Sequence, residues 1–340
     1  MKRLLIVVLA IVMVFTLAAC AQGGKSDAGP DEQSEEGNYK FGYVLNDMSH
    51  EWYQNIAKGA KARAEALGHE LEVTDAAMDT ATQINQLENF IAKGVDVLIV
   101  TPVDVKALAP VMKQAADEGI PVITESNVVE GAMTYVGIDN KAGGKKAGEW
   151  FAAYAKENNI EPKLLIVELP AFEDCRLRVE GFLEGLDDAG VDYEISARVD
   201  GQGSKEESLR VSQDALTAHP EINVIFGIND NSTTGAMAAY KEAGYDESAL
   251  TAIGFGFEGV VGRDALLSGG PYKAAVAMFP DYMGVSVVDA AIMAAAGEEL
   301  PDNYQSGTVV ITNDNFDEYY TKDGDSYITN FEAIDALLGK

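Results

Sequence analysis

Asn46, His50, Trp52 and Tyr53 share one short stretch of the chain, and together they suit the recognition of a small hydroxylated molecule. A side-chain amide donates and accepts at once, as a hydroxyl does. Aromatic faces can lie against the C–H face of a ring without consuming its polar groups. His50 can donate to a hydroxyl. Plainer roles stand beside these: a local turn for Asn46, cover for the core by one of the two rings, and an exposed loop position for His50.

Residues that would break bonds or hold a metal are not grouped in this way. The three histidines, at 50, 69 and 219, have no metal-ligand spacing. Cys175 has no histidine near it in sequence and reads as a small buried side chain. The run Gly254-Phe255-Gly256-Phe257-Glu258-Gly259 fits a dinucleotide-binding fingerprint, with Asp281 further along, but it lies late in the chain. Gly143-Gly144-Lys145-Lys146 lacks the earlier glycine of a phosphate-binding loop, since Asp139 stands there. A binder is expected rather than an enzyme, with no cofactor and no metal.

The chain opens with Lys2 and Arg3, then an uncharged apolar run over residues 4–17. That run is short for a membrane span and reads as an export signal. It ends in Leu17-Ala18-Ala19-Cys20, which resembles the lipobox of bacterial lipoproteins. The resemblance implies cleavage before Cys20 and lipidation of its sulfur, with residues 1–19 removed. Residues 20–38 are rich in Gly, Ser, Asp, Glu and Gln and read as a flexible tether. The expected location is the outer face of the cytoplasmic membrane. With Cys20 lipidated, Cys175 is left alone and no internal disulfide is expected. Formal net charge is −30, spread along the chain, which argues against a nucleic-acid partner.

These residues must be positioned by a fold, and apolar periodicity says which. From residue 41 onward, short apolar strands alternate with amphipathic helices closed by glycines such as Gly68 and Gly94. The pattern β-α-β-α runs to about residue 124 and resumes after Asp139. The expected fold is α/β: two doubly wound parallel-sheet halves, with ligand beyond the carboxyl ends of the strands, between the halves. A polar, aromatic tail follows. Its Phe331, Ile334, Leu337, Leu338 spacing predicts a short amphipathic helix packed on the second half.

Several stretches together resemble the type I periplasmic binding proteins of the ribose- and galactose-binding family: residues 46–53, Thr101-Pro102-Val103-Asp104, residues 120–124, Gly137-Ile138-Asp139-Asn140, residues 176–182, Asn229-Asp230, Ile253-Gly254-Phe255 and Phe279-Pro280-Asp281. The resemblance implies an N-terminal lobe of residues 39–138 plus 280–307 and a C-terminal lobe of residues 139–279 plus 308–340. The hinge would lie at Ile138 and Asp139, at Phe279 and Pro280, and over residues 308–311. It implies ligand contacts from Asn46, Trp52, Tyr53, Thr101, Phe255 and Asn229, and from Arg176, with Arg178 as the rival. Phe172 and Asp174, in the loop before Arg176, could reach the cleft. Asp230 is expected to cap the following helix.

Three departures bear on the ligand. Ser126 and Asn127 stand where the family carries an Asp-Arg pair, Gly256 where it carries an aspartate, and Met278 where it carries a glutamine. Glu125 and Glu258 lie near enough in sequence to replace lost groups. Buried hydroxyls without partners are costly, so ribose and galactose fit poorly, and a deoxy sugar, a polyol or another compact polar metabolite is expected. The resemblance implies capture by hinge closure and delivery by a monomer to an ABC permease. The alternatives are a sensor that presents its ligand to a membrane receptor or kinase, and a binding protein for a nucleoside.

Overall fold

The apolar run of the first strand serves two cores at once. Phe41, Tyr43 and Leu45 point into one buried cluster and Val44 into another, as side chains alternating across a doubly covered strand must. The computed structural model describes residues 37–324 and 326–339; the export signal, Cys20 and the tether expected before residue 37 lie outside them. The first half runs β1 (Lys40–Leu45), α1 (Glu51–Ala66), β2 (Glu70–Asp75), α2 (Thr80–Lys93), β3 (Val97–Val100), α3 (Ala109–Asp117), β4 (Val122–Glu125) and β5 (Thr134–Gly137). Val97 and Ile99 of β3 face the cluster containing α1, and Leu98 and Val100 face that of α2 and α3.

The second half continues with α4 (Asn140–Glu157), β6 (Lys163–Glu168), α5 (Glu173–Asp188), β7 (Glu194–Asp200), α6 (Lys205–Ala218), β8 (Val224–Gly227), α7 (Asp230–Glu242), β9 (Thr251–Gly256), α8 (Val260–Leu267) and β10 (Tyr272–Ala277). After it come α9 (Pro280–Ala295), β11 (Asn303–Gln305), β12 (Val309–Ile311), α10 (Phe316–Tyr319), β13 (Tyr320–Asp323), β14 (Ser326–Thr329) and α11 (Phe331–Leu338). Two six-stranded sheets result, ordered β11-β5-β4-β3-β1-β2 and β12-β10-β9-β8-β6-β7, beside an antiparallel β13-β14 pair. Every pairing in the two larger sheets is parallel except β10 with β12. The fold is α/β with two doubly wound lobes, as expected.

The chain passes between the sheets three times: from β5 into α4, from β10 into α9, and from β11 into β12. At the first passage Asp139 caps α4, accepting from the Ala142 N–H at 2.8 Å. At the second, Phe279 is fully buried with φ +51°, followed by Pro280 at the start of α9. A bulky residue held in the left-handed region stores local strain of about 1–3 kcal/mol. Its ring centroid sits 5.8 Å from those of both Tyr319 and Tyr320, which hold it there. At the third, the Ser306 N–H donates to the Gly137 carbonyl at 2.8 Å.

Glycines decide how closely the helices approach. A Cβ on Gly59 would lie 1.9 Å from the Asp281 carbonyl, and one on Gly284 would lie 2.1 Å from that of Ile56, so α1 and α9 touch backbone to backbone. Gly144, Gly148, Gly181 and Gly185 do the same for α4 and α5. The glycine-lysine cluster at 143–146 thus has a packing role, and Lys145 pairs with Glu184 and Asp188. The tail folds as expected: Ile334 of α11 is buried in one cluster with Phe257, Tyr272 and Tyr320 of the second lobe. Strand β5 and the short strands β11 to β14 were not expected, because they lack the continuous apolar run that marks equally short strands such as β3 (Val97–Val100), or, as in β12, are only three residues long.

Candidate functional site

The carboxyl ends of the two sheets carry most of the residues singled out above, and they face one another across the space between the lobes. On the first lobe, Asn46 directly follows β1 and is only 7% exposed. Its Nδ2 donates to the Tyr53 hydroxyl at 3.1 Å, while its other amide atom, Oδ1, is buried with no partner. Tyr53 and Trp52 lie in the first turn of α1, half-buried against the core. His50 is exposed and caps that helix, its Nδ1 accepting from the Trp52 N–H at 3.1 Å. The loop histidine thus has a local duty that its sequence position did not reveal.

Glu125 ends β4 and is fully buried. Its Oε2 accepts from the Thr101 hydroxyl at 2.8 Å, and its Oε1 from the Ser126 hydroxyl. With its hydrogen committed, Thr101 accepts in turn from Tyr43 at 3.1 Å. Thr101 is itself fully buried and supports Glu125. Burial pushes the Glu125 carboxyl up to about 7, against its two hydrogen bonds, and the charge of Asp174 across the cleft adds to the rise. Ser126 sits at φ +65° and Asn127 is exposed beside it.

On the second lobe the two arginines separate. Arg176 is exposed and turns back to the Pro170 carbonyl at 2.6 Å. Arg178 is half-buried: its Nε donates to Asn140 Oδ1 at 2.8 Å and a terminal nitrogen to the Ile228 carbonyl at 2.9 Å. Its guanidinium lies 4.5 Å over the Phe255 ring. The charge of Arg178 acts on Asp174, Glu258 and Tyr135, so this arginine, and not Arg176, faces the groups of the cleft. Phe255 is fully buried, with the Arg178 guanidinium over its ring. Phe172, 59% exposed, stands outside the core at the start of α5. Asp174, half-buried, is raised by burial against the pull of Arg178.

Asn229, not Asp230, caps α7. The Asn229 Oδ1 accepts from the Ser232 N–H at 2.8 Å, and its Nδ2 donates to the Gly203 carbonyl at 3.0 Å. This corrects the expectation that Asp230 caps the helix: an extended backbone at 229 brings the Asn229 amide over the open N–H groups of the helix. Asp230 instead lies buried under Gly262 and accepts from the Tyr272 hydroxyl at 2.6 Å and the Glu258 N–H at 3.2 Å. Burial pushes it up to about 7, against the Tyr272 hydrogen bond.

Gly256 has φ +99°, and Glu258 and Met278 close around it. A Cβ there would lie 3.8 Å from both the Glu258 carboxyl carbon and the Met278 methyl group. The carboxyl of Glu258 thus approaches the position where a side chain at 256 would project. Glu258 is half-buried and pushed up to about 7 by burial, with Arg178 opposing and Glu51 adding to the rise. The lobes meet here: Asn55 of α1 donates to the Glu258 carbonyl at 3.2 Å, and the Glu51 carboxylate lies against Gly259. Tyr53 reports the same approach, since burial first, then the charges of Glu125 and Glu258, raise its hydroxyl.

Tyr135, on the unexpected strand β5, escaped sequence reasoning. It is half-buried, curls over Gly137 beside the first passage, and is raised by burial and by Asp174 and Glu125. The apolar-polar run before Gly137 was the available signal. The fingerprint glycines 254–259 have structural duties: a Cβ on Gly254 would strike the Tyr272 hydroxyl at 1.9 Å. Cys175 is buried, as expected.

Two doubly wound lobes with polar side chains from both meeting across a cleft define a protein that encloses a small ligand. The sequence matches the family described as periplasmic binding protein domain over residues 41–299, and the chain belongs to that family. The ribose import binding protein of Escherichia coli strain K12 is 27% identical over 266 residues, spanning 77% of this chain and 86% of the relative. An ABC transporter solute-binding protein from Mycobacterium smegmatis, solved with glycerol, superposes with a TM-score of 0.71 at 27% identity, covering 84% of this chain and 98% of that one. One from Actinobacillus succinogenes, solved with D-allose, gives 0.74 at 25% identity, covering 83% and 100%. These relatives are binding proteins rather than enzymes.

Proposed function

We propose that the chain is the solute-binding component of an ABC importer and captures a small sugar-like molecule, a monosaccharide, deoxy sugar or polyol, by closure of its two lobes. The observation that carries this reading is the approach of Tyr53 and Asn55 of one lobe to Glu258 of the other, around the unpartnered amide atom of Asn46. A ligand in that space touches both lobes and stabilises the closed form by its preference for it. Residues 39–138 with 280–307 move against residues 139–279 with 308–340, about Ile138, Asp139, Phe279, Pro280 and residues 308–311. The closed monomer docks on a membrane permease. The chain is exported and held at the outer face of the cytoplasmic membrane by lipid on Cys20, and it has no catalytic role.

Asn46, Tyr53, Trp52 and Glu125 supply the first-lobe contacts, and Arg178, Asp174 and Glu258 those of the second. The test is a thermal-shift panel of aldoses, deoxy sugars, polyols, nucleosides and amino acids. Ligand at about a hundred times its Kd adds about 2.7 kcal/mol, an easily read rise in Tm. Arg178→Ala should reduce that rise more than Arg176→Ala. Stabilisation by nucleosides or amino acids alone would remove the sugar assignment, and a larger loss in the Arg176 variant would return the ligand arginine to that position.

A further inference from the structure

The chain after β12 packs against more than its own lobe. Residues 312–338 lie beyond the stretch that the family matches, 41–299. Their hairpin and α11 are anchored on the second lobe. Ile334 shares a buried cluster with Phe257 and Tyr272, and the Tyr327 hydroxyl donates to Asp264 of α8 at 2.9 Å. Asn330 ties the start of α11 to the turn before the hairpin, its N–H donating to the Tyr319 carbonyl at 2.8 Å and its Nδ2 to that of Glu318 at 2.9 Å.

Helix α11 also reaches the passages between the lobes. At the second passage, Tyr282 in the first turn of α9 donates its hydroxyl to Asp335 Oδ1 at 2.5 Å. Its ring meets that of Phe331 edge-on, with centroids 5.5 Å apart. Tyr282 is 3% exposed, so in this arrangement a carboxylate, and not bulk water, meets its hydroxyl. At the third passage, a Cβ on Gly307 would lie 3.1 Å from Leu337 and 3.2 Å from Leu338.

Both partners of the Tyr282–Asp335 bond belong to rigid bodies that carry the walls of the cleft. Helix α9 touches α1 backbone to backbone, so Tyr282 travels with Trp52, Tyr53 and Asn55. Asp335 adjoins Ile334, whose cluster holds Phe257, the chain neighbour of Glu258. The two bodies that meet across the cleft, where Asn55 donates to the Glu258 carbonyl at 3.2 Å, are therefore the two that meet at the hinge. Two links between one pair of rigid bodies are coupled. A rotation that separates the cleft contact also changes the geometry at Tyr282, and a hydrogen bond weakens steeply with distance and angle.

We propose that Tyr282 and Asp335 are positioning residues: α11 clasps α9 when the lobes are closed, and this clasp sets the closed fraction of the chain, and so its ligand affinity, without touching ligand. This rests on the capture function and the lobe division proposed above. Apparent affinity scales with the fraction of chain in the binding-competent form. Loss of the clasp therefore weakens every ligand of the cleft by one common factor, whereas loss of a cleft contact changes the ranking among ligands.

The test is the distance between spin labels on the two lobes of the ligand-free chain, read by pulsed electron–electron double resonance. Labels go on keto-bearing residues at exposed Glu130 and exposed Glu206, which leaves both cysteines untouched. Tyr282→Phe keeps the ring against Phe331 and removes only the hydroxyl. Asp335→Ala removes the acceptor, and Asp335→Asn returns a weaker one. The first two should each raise the ratio of open to closed chain at least about fivefold, and the double variant no further. Asp335→Asn should raise it less than Asp335→Ala. An unchanged ratio, whatever happens to Tm, overturns the clasp and leaves capture by closure standing. A shift toward the closed form overturns it as well. One distance shared by wild type and every variant, and unmoved by any compound of the panel above, overturns lobe closure itself and the capture reading with it.

Discussion

The two walls of the cleft solve the burial of polar groups differently. The first-lobe wall is a relay of side chains, Tyr43 to Thr101 to Glu125, with Ser126 on the free oxygen and Asn46 on Tyr53. The second-lobe wall is tied to the backbone: Arg178 to the Ile228 carbonyl, Asn229 to Gly203 and Ser232, Asp230 to the Glu258 N–H. Two buried carboxyls make the contrast concrete. Glu125 and Asp230 each accept two hydrogen bonds and both are pushed up to about 7. Asp230 is spent on holding its own lobe, whereas Glu125 is repelled by an acid of the other lobe. A perturbed carboxyl alone therefore does not mark a binding group; the origin of its neighbours does.

Removing Asp230 breaks that comparison most severely. Asp230→Ala strands the Tyr272 hydroxyl in the core and frees the loop carrying Glu258, and should cost about 3 kcal/mol in urea unfolding. A cost under about 1 kcal/mol would mean that water replaces the carboxylate.

The next effect is in pH. Glu125, Asp230 and Glu258 hold their protons more tightly folded than unfolded, because their folded values stand near 7, above the ordinary carboxylate range. Their contribution to stability is complete below that range and is lost as pH rises through about 7. The ligand-free Tm should fall between about pH 5 and pH 8, and Glu125→Gln should flatten the fall. A Tm that instead rose over this interval would show that these acids are ionised at no cost. Exposed caps such as Asp79 and Asp246, held low by their hydrogen bonds, act in the opposite direction only at more acidic pH.

The smallest effect separates capping from binding on the second wall. Asn229→Ala removes the N-cap of α7 and should cost about 1 kcal/mol of stability. Since both amide atoms of Asn229 are already bonded within its lobe, ligand affinity should change little once that loss is allowed for. A selective loss of affinity would restore Asn229 as a ligand contact.

Much of the fold was legible because long elements repeat their periodicity. Helix α2 showed its apolar face and closed on Gly94, which adopts φ +67° as a left-handed cap does. Strand β5 was not legible, and Tyr135 went with it. At the site, the stretch 46–53 runs from the end of β1 into the first turn of α1, where the sequence put it, but which of two arginines turns inward was not legible. Arg176 and Arg178 lie two residues apart on one helix, so they point to different faces, and only the packing of α5 against α4 selects between them.

The sequence by itself determined the α/β alternation, the two lobes and the family, because these rest on periodicity and on motifs whose order survives without coordinates. Tertiary structure alone decided which polar groups are spent. Asn229 becomes a cap, Thr101 a support, and Glu258 folds back beside Gly256 while Asn55 reaches it from the other lobe. The reason is physical: a hydrogen bond or a desolvated charge depends on which atoms meet within a few ångströms, and chain separations such as that between Asn55 and Glu258 carry no record of that meeting.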